Sequence, residues 1–259
     1  MYELELLDSP YNMSNIIPDI AGISIIEEEI PLDSGRYKYY FRVTHDMDGY
    51  EDEYYRYINV LFLEMINGIH LVLSLPLLKI EYSVHTIYNV KLYNEAYNNM
   101  DLVKFEPPDH AHNNFRISQN QETYQDILKL CKSSQYLRDI FILLSKVKKF
   151  PDTQFINGYK LYDFGTSFNK YLGQLSWSID TKDLQASIKH FKANHNKHIN
   201  NYVSSGLLSR HGLSANSVKD TNYINNDYSI VEDSIDMVWK IIFILLNNSV
   251  NIDDMESAK

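Results

Sequence analysis

The sequence predicts an α+β protein, an N-terminal antiparallel β-meander followed by a C-terminal four- to five-helix bundle. Three observations carry this. Asp48-Gly49 and Asn67-Gly68 lie between β-rich runs, the commonest signature of a tight hairpin. Pro107-Pro108 interrupts regular structure near the middle of the chain. Beyond that break, apolar residues recur at steps of three and four. The organisation that follows is a β-rich region over 1–104, a linker over 105–121, the bundle over 122–250 and a tail over 251–259.

In chain order, "GISIIEEEI" reads as the first strand, closed by the turn cluster "PLDSG". "RYKYYFRVTH" pairs with it. "YYRYINVLFLEMI" and "IHLVLSL" form the next hairpin around Asn67-Gly68, and "KIEYSVHTIYNVKLY" adds a last strand. The competing assignment is a helix from Glu53 to Met65, because the apolar residues there also fit helical spacing. In the second half, Ile127, Leu130, Leu137, Ile140, Phe141, Leu144 and Val147 mark helical faces. Ser133-Ser134 divides them into two helices and Pro151 ends the second. "QFINGYKLYDF" reads as a small hairpin around Asn157-Gly158. "TSFNKYLGQLSWSI" follows as a helix capped by Thr166 or Ser167. The next helix begins at Asp180 or Thr181, carries a stripe of Leu184, Ile188, Phe191, His195, His198 or Ile199, and Tyr202, and stops at Gly206. The last opens with the capping box Ser229 to Glu232 and runs to Asn247-Asn248.

Composition narrows the function classes. At 259 residues with 44% hydrophobic content the chain can bury a core, so disorder is excluded. The net charge of -10 argues against a broad surface for nucleic-acid backbones and leaves room for a local one. The single cysteine, Cys131, excludes an internal disulfide and fits a reducing compartment. It reads as a core residue. "MYELELLDSP" has no signal-peptide pattern and the longest apolar region, Ile58 to Ile80, is broken by Glu64, Asn67, Gly68 and Pro76. The expectation is a cytoplasmic protein without a membrane segment. There is no Gly-rich phosphate loop, no zinc signature and no Gly-x-Ser-x-Gly. No cofactor is expected.

The candidate chemistry lies in "KANHNKHINNYVSSGLLSRHG", Lys192 to Gly212. His195 and His198 continue the apolar stripe of their helix, as partly buried histidines welcome near a helix C-terminus or as the lining of a polar cleft. As a site, His198, His195 and His211 supply acid–base groups, with Arg210 beside them. Lys192, Asn196, Lys197 and Asn201 would hold substrate. A weaker alternative places a metal on His195 and His198, completed by His211 or by the "DHAH" of Asp109 to His112.

A long helix with "RN…H"-like polar residues near its end, then a loop and an apolar last helix, resembles the HEPN superfamily (higher eukaryotes and prokaryotes nucleotide-binding). The resemblance covers about Gln121 to Asn248. It implies a helical bundle, usually a homodimer, and RNA engagement. In many members it also implies metal-independent ribonuclease activity in toxin–antitoxin or antiviral defence systems. Those members use an Arg and a His four to six positions on. Lys192 and His198 have that spacing with Lys in place of Arg, and Arg210-His211-Gly212 is similar to the Arg-His-Gly of some abortive-infection relatives. A second reading is a non-catalytic interaction module, its Tyr-rich N-terminal region docking a protein partner.

Overall fold

The computed structural model describes residues 4–7, 23–29, 37–43, 51–80, 90–100, 121–210 and 228–255. The fold is α+β, with a small antiparallel four-stranded sheet near the N-terminus and, among the described residues, eight α-helices. The chain divides into two compact units, Met1–Lys132 and Ser133–Lys259. The expected turns at Asp48-Gly49 and "PLDSG", and residues 105–120 of the expected linker, lie outside the described residues.

In the first unit, β1 (Leu4–Leu7), β2 (Ile23–Glu29), β3 (Tyr37–Val43) and β4 (Lys79–Ile80) form a sheet in the order β2-β3-β1-β4. This corrects the meander. β2 and β3 pair as expected, with Ile25 opposite Phe41. The next neighbour of β3 is β1, however, with Leu4 opposite Phe41, and β4 pairs on the far side of β1. Leu4, Leu6, Ile23, Tyr39, Phe41 and Val43 are buried. Lys38 and Glu5 pair at 3.0 Å where the sheet meets solvent.

The third and fourth expected strands are a single helix, α1 (Asp52–Val72). Its residues from Tyr57 to His70 are all buried. The competing helix from Glu53 to Met65 is the assignment the structure bears out; burial on every side weakens the contrast that marks a helical period, and β-rich composition favoured strands. Asn67-Gly68 is therefore no turn. Asn67 instead spans the gap to the backbone of Leu78, donating from Nδ2 to its carbonyl at 2.9 Å and accepting its N–H at 2.7 Å. Asn59 accepts the Val43 N–H at 2.7 Å. These buried amides satisfy strand-edge backbone groups that would otherwise be stranded away from water. Of the expected strand over 79–93, Lys79–Ile80 is extended, 81–89 lie outside the described residues, and α2 (Val90–Asn98) occupies its end.

The expected helix break is present. α3 (Gln121–Ser133) and α4 (Gln135–Lys149) meet at Ser134, whose side chain accepts the Leu137 N–H. Cys131 is buried, as expected of a core thiol. Pro151 opens a 3-10 turn leading straight into α5 (Gln154–Leu172). The expected hairpin at Asn157-Gly158 is thus the start of a helix, and Thr166 and Ser167 lie inside it rather than at its cap. The glycine has a packing reason: a Cβ at Gly158 would sit 2.9 Å from Cδ1 of Ile230, and one at Gly165 3.0 Å from Sδ of Met237. α6 (Lys182–Ile199), a short α7 (Tyr202–Ser205) and α8 (Tyr228–Asn247) follow. α8 starts one residue ahead of the Ser229 expected to cap it. In the second unit α5 packs on α4, α6 and α8, and α8 also contacts α4 and α6. Ile252 is buried, and the Tyr171 hydroxyl donates to the Asn251 carbonyl at 3.1 Å. Among the described residues no helix is long and apolar enough to cross a membrane.

Candidate functional site

α6 starts where Asp180 Oδ1 accepts the Lys182 N–H at 3.1 Å, relieving one of the unpaired donors of a first turn. Leu184, Ser187, Phe191, His195 and Ile199 form its buried face. The polar run at its end satisfies the carbonyls of the last turn. Ser205 Oγ donates to the His198 carbonyl at 2.6 Å, Ser209 Oγ to the Ile199 carbonyl at 3.2 Å, and the Arg210 N–H to that same Ile199 carbonyl at 2.7 Å. Asn201 caps α7 by accepting the Val203 N–H at 3.0 Å. Much of the amide and hydroxyl content here is helix-end chemistry.

His195 turns inward. Its residue exposure is 5%, its ring lies 4.8 Å from that of Phe191, and Nε2 is 2.6 Å from Oδ2 of Asp233 on α8. A carboxylate only accepts, so Nε2 carries the proton. Burial holds the His195 pKa below the ordinary imidazole value, against the opposing pull of Asp233. His190, exposed on the next turn, places Nε2 3.5 Å from the other Asp233 oxygen. Phe191 stacks in turn on Tyr162 of α5, centroids 5.6 Å apart.

His198 is half-buried, with Nδ1 3.4 Å from Ser204 Oγ. His195 and His198 therefore face different partners. Lys192 and Lys197 are exposed; Asn196 is half-buried, and its Oδ1 has no hydrogen-bond partner among the described residues. Arg210 is exposed, with its guanidinium 4.1 Å above the Tyr159 ring. Asp163, one turn along α5, hydrogen-bonds Tyr159 and lies within electrostatic reach of Arg210; partial burial still leaves its carboxyl above the usual range. His211 and Asp109 to His112 lie outside the described residues. Among the described residues no group of three His, Cys, Asp or Glu is arranged to hold a metal ion.

Hydrogen bonds to the last carbonyls thus tie His198, Ile199, Ser205 and Arg210 together at one end of α6, while His195 belongs to the α6–α8 interface. Asp233, His190, Tyr159 and Asp163 escaped the sequence reading. One signal was present in it. Between Asp183 and Asp220 there is no Asp or Glu, yet Lys189, Lys192, Lys197, Arg210 and Lys219 all fall there. In a chain of net charge -10 that is a segregated cationic stretch. No family model, curated protein or solved structure matches the chain.

Proposed function

We propose that the protein is an HEPN-like chain that engages RNA at the C-terminal end of α6. The supporting observation is the acid-free cationic stretch in the sequence, within which Lys192, Lys197 and Arg210 are exposed and His198 is half-buried. It supplies a local attraction for phosphate on an otherwise acidic molecule. If cleavage accompanies binding, His198 takes the ribose 2′-OH proton as that oxygen bonds to phosphorus, the P–O5′ bond breaks, the departing oxygen takes its proton from water, and Lys192 or Arg210 holds the phosphate, without a metal. His195, paired with Asp233 and shut from solvent, serves as a positioning residue for α6 and not as the second acid.

The test is fluorescence anisotropy with labelled single-stranded RNA in EDTA, repeated across salt concentrations. Two or three neutralised phosphates give a log–log salt slope of roughly -1.4 to -2 on a single strand. Lys192→Glu with Lys197→Glu should weaken binding more than tenfold. Unchanged affinity in that double variant, or a wild type that binds no RNA, defeats the proposal. Cleavage by wild type and loss of about 10²–10⁴-fold in His198→Ala would add the ribonuclease.

The interaction-module reading, expected on the Tyr-rich N-terminal region, gains an observation in the second unit instead: Leu207 is 90% exposed and Val203 37%. Apolar side chains left in water beside the cationic stretch suit a protein partner or a second copy. Light scattering that finds a dimer lost in Leu207→Asp, with RNA binding absent, would favour it.

A further inference from the structure

Arg210 is held more firmly than an exposed arginine needs to be. Its N–H and the preceding Ser209 hydroxyl both bond the Ile199 carbonyl, which fixes the main chain against the end of α6. The guanidinium then lies 4.1 Å above the Tyr159 ring. Tyr159 is backed by Tyr162, ring centroids 5.8 Å apart, and Tyr162 by Phe191 at 5.6 Å. The shelf under Arg210 is thus continuous with the aromatic packing between α5 and α6.

A guanidinium is planar and weakly hydrated, and it stacks on π surfaces as an ammonium cannot. The guanidinium centre lies over the Tyr159 ring, the residue is exposed, and Asp163 is within electrostatic reach of it, so a flat contact with that ring leaves the other face for a second π surface. A nucleobase inside a duplex has both faces covered by stacking on neighbouring pairs, whereas an unpaired base can offer a free π surface. We infer that Arg210, shelved on Tyr159, stacks an unpaired RNA base and makes the site selective for single strands. This rests on the RNA reading above. Lys192 and Lys197 supply charge and Arg210 supplies the distinction between strand forms.

Binding of the full chain is measured against three probes: a short single-stranded RNA, the same strand in a duplex, and the same strand with abasic positions. The wild type should prefer the natural single strand over both others. Arg210→Lys keeps the charge and loses the plane. It should lower single-strand affinity roughly 5- to 150-fold, the worth of one stacked base, and bind natural and abasic strands alike. Tyr159→Leu should behave the same way and Tyr159→Phe like wild type. A wild type that binds all three probes equally, or Arg210→Lys that keeps full selectivity, overturns the stacking inference while leaving RNA binding intact. No binding to any probe overturns both. Arg210 is exposed, so the lysine variant should fold, and an unchanged circular dichroism spectrum checks that.

Discussion

Acidification should weaken the first unit through His70. This imidazole is fully buried on α1, with Nδ1 2.5 Å from the Pro76 carbonyl and Nε2 3.2 Å from the Tyr124 hydroxyl. The carbonyl accepts only, so Nδ1 carries the proton and Nε2 accepts from Tyr124. A second proton would place a positive charge in a dry site and force the Tyr124 hydroxyl to turn. Burial accordingly lowers the His70 pKa from 6.5 to about 4. The folded state then binds this proton less readily than the unfolded chain, so the stability is complete above pH 6.5 and is lost as pH falls toward 4. At 1.36 kcal/mol per unit the loss comes to about 3 kcal/mol at the end of that window and about 2 kcal/mol by pH 5. His70→Gln should be less stable at pH 7 yet flatter in its pH dependence. The assay is urea unfolding from pH 7 to pH 4, read by hydrogen exchange in peptides of α1 so that the first unit is followed by itself. The comparison of slopes cancels the carboxylates common to both proteins. Parallel wild-type and variant curves across pH 6.5 to 4 would refute the argument.

Asn67→Ala should cost about 2–4 kcal/mol in the same unfolding assay, because it strands both the N–H and the carbonyl of Leu78. At Gly158, alanine should fall within about 1 kcal/mol of wild type, since helix propensity gained offsets a push on the end of Ile230. Valine should lose about 1–3 kcal/mol by overpacking, measured by thermal unfolding. Asp233→Asn should lower the His195 pKa further, because the carboxylate favours the imidazolium. An NMR titration with an unmoved His195 would argue against the pairing.

What could be read from the sequence depended on asymmetry. The α3–α4 break was legible because Ser134 ends one amphipathic stripe and caps the next. α6 was legible because its opposite side faces water. α1 was legible only as the competing helix from Glu53 to Met65, and the first half of α5 was not. Enclosure removes the polar side of α1, and in α5 a glycine chosen for close approach to Ile230 looks, in sequence, like a turn residue after Asn157. At the candidate site, the stripe position of His195 was readable, but its partner Asp233 lies 38 residues on, across a helix interface. Tyr159 was hidden inside the supposed hairpin, so its place under Arg210 had no local trace.

The position of β1 has a consequence for how the sheet is made. Leu4–Leu7 sits between β3 and β4, and both neighbours are translated after it. During synthesis this strand leaves the ribosome with both backbone edges unpaired. β2 and β3 can close on each other locally, whereas β1 must wait for Tyr39 to Phe41 and then for Lys79 and Ile80. The sheet is therefore assembled out of chain order, with its earliest strand annealing backwards onto a hairpin. Deleting that strand would leave β2 and β3 paired but deprive β4 of its partner in the sheet.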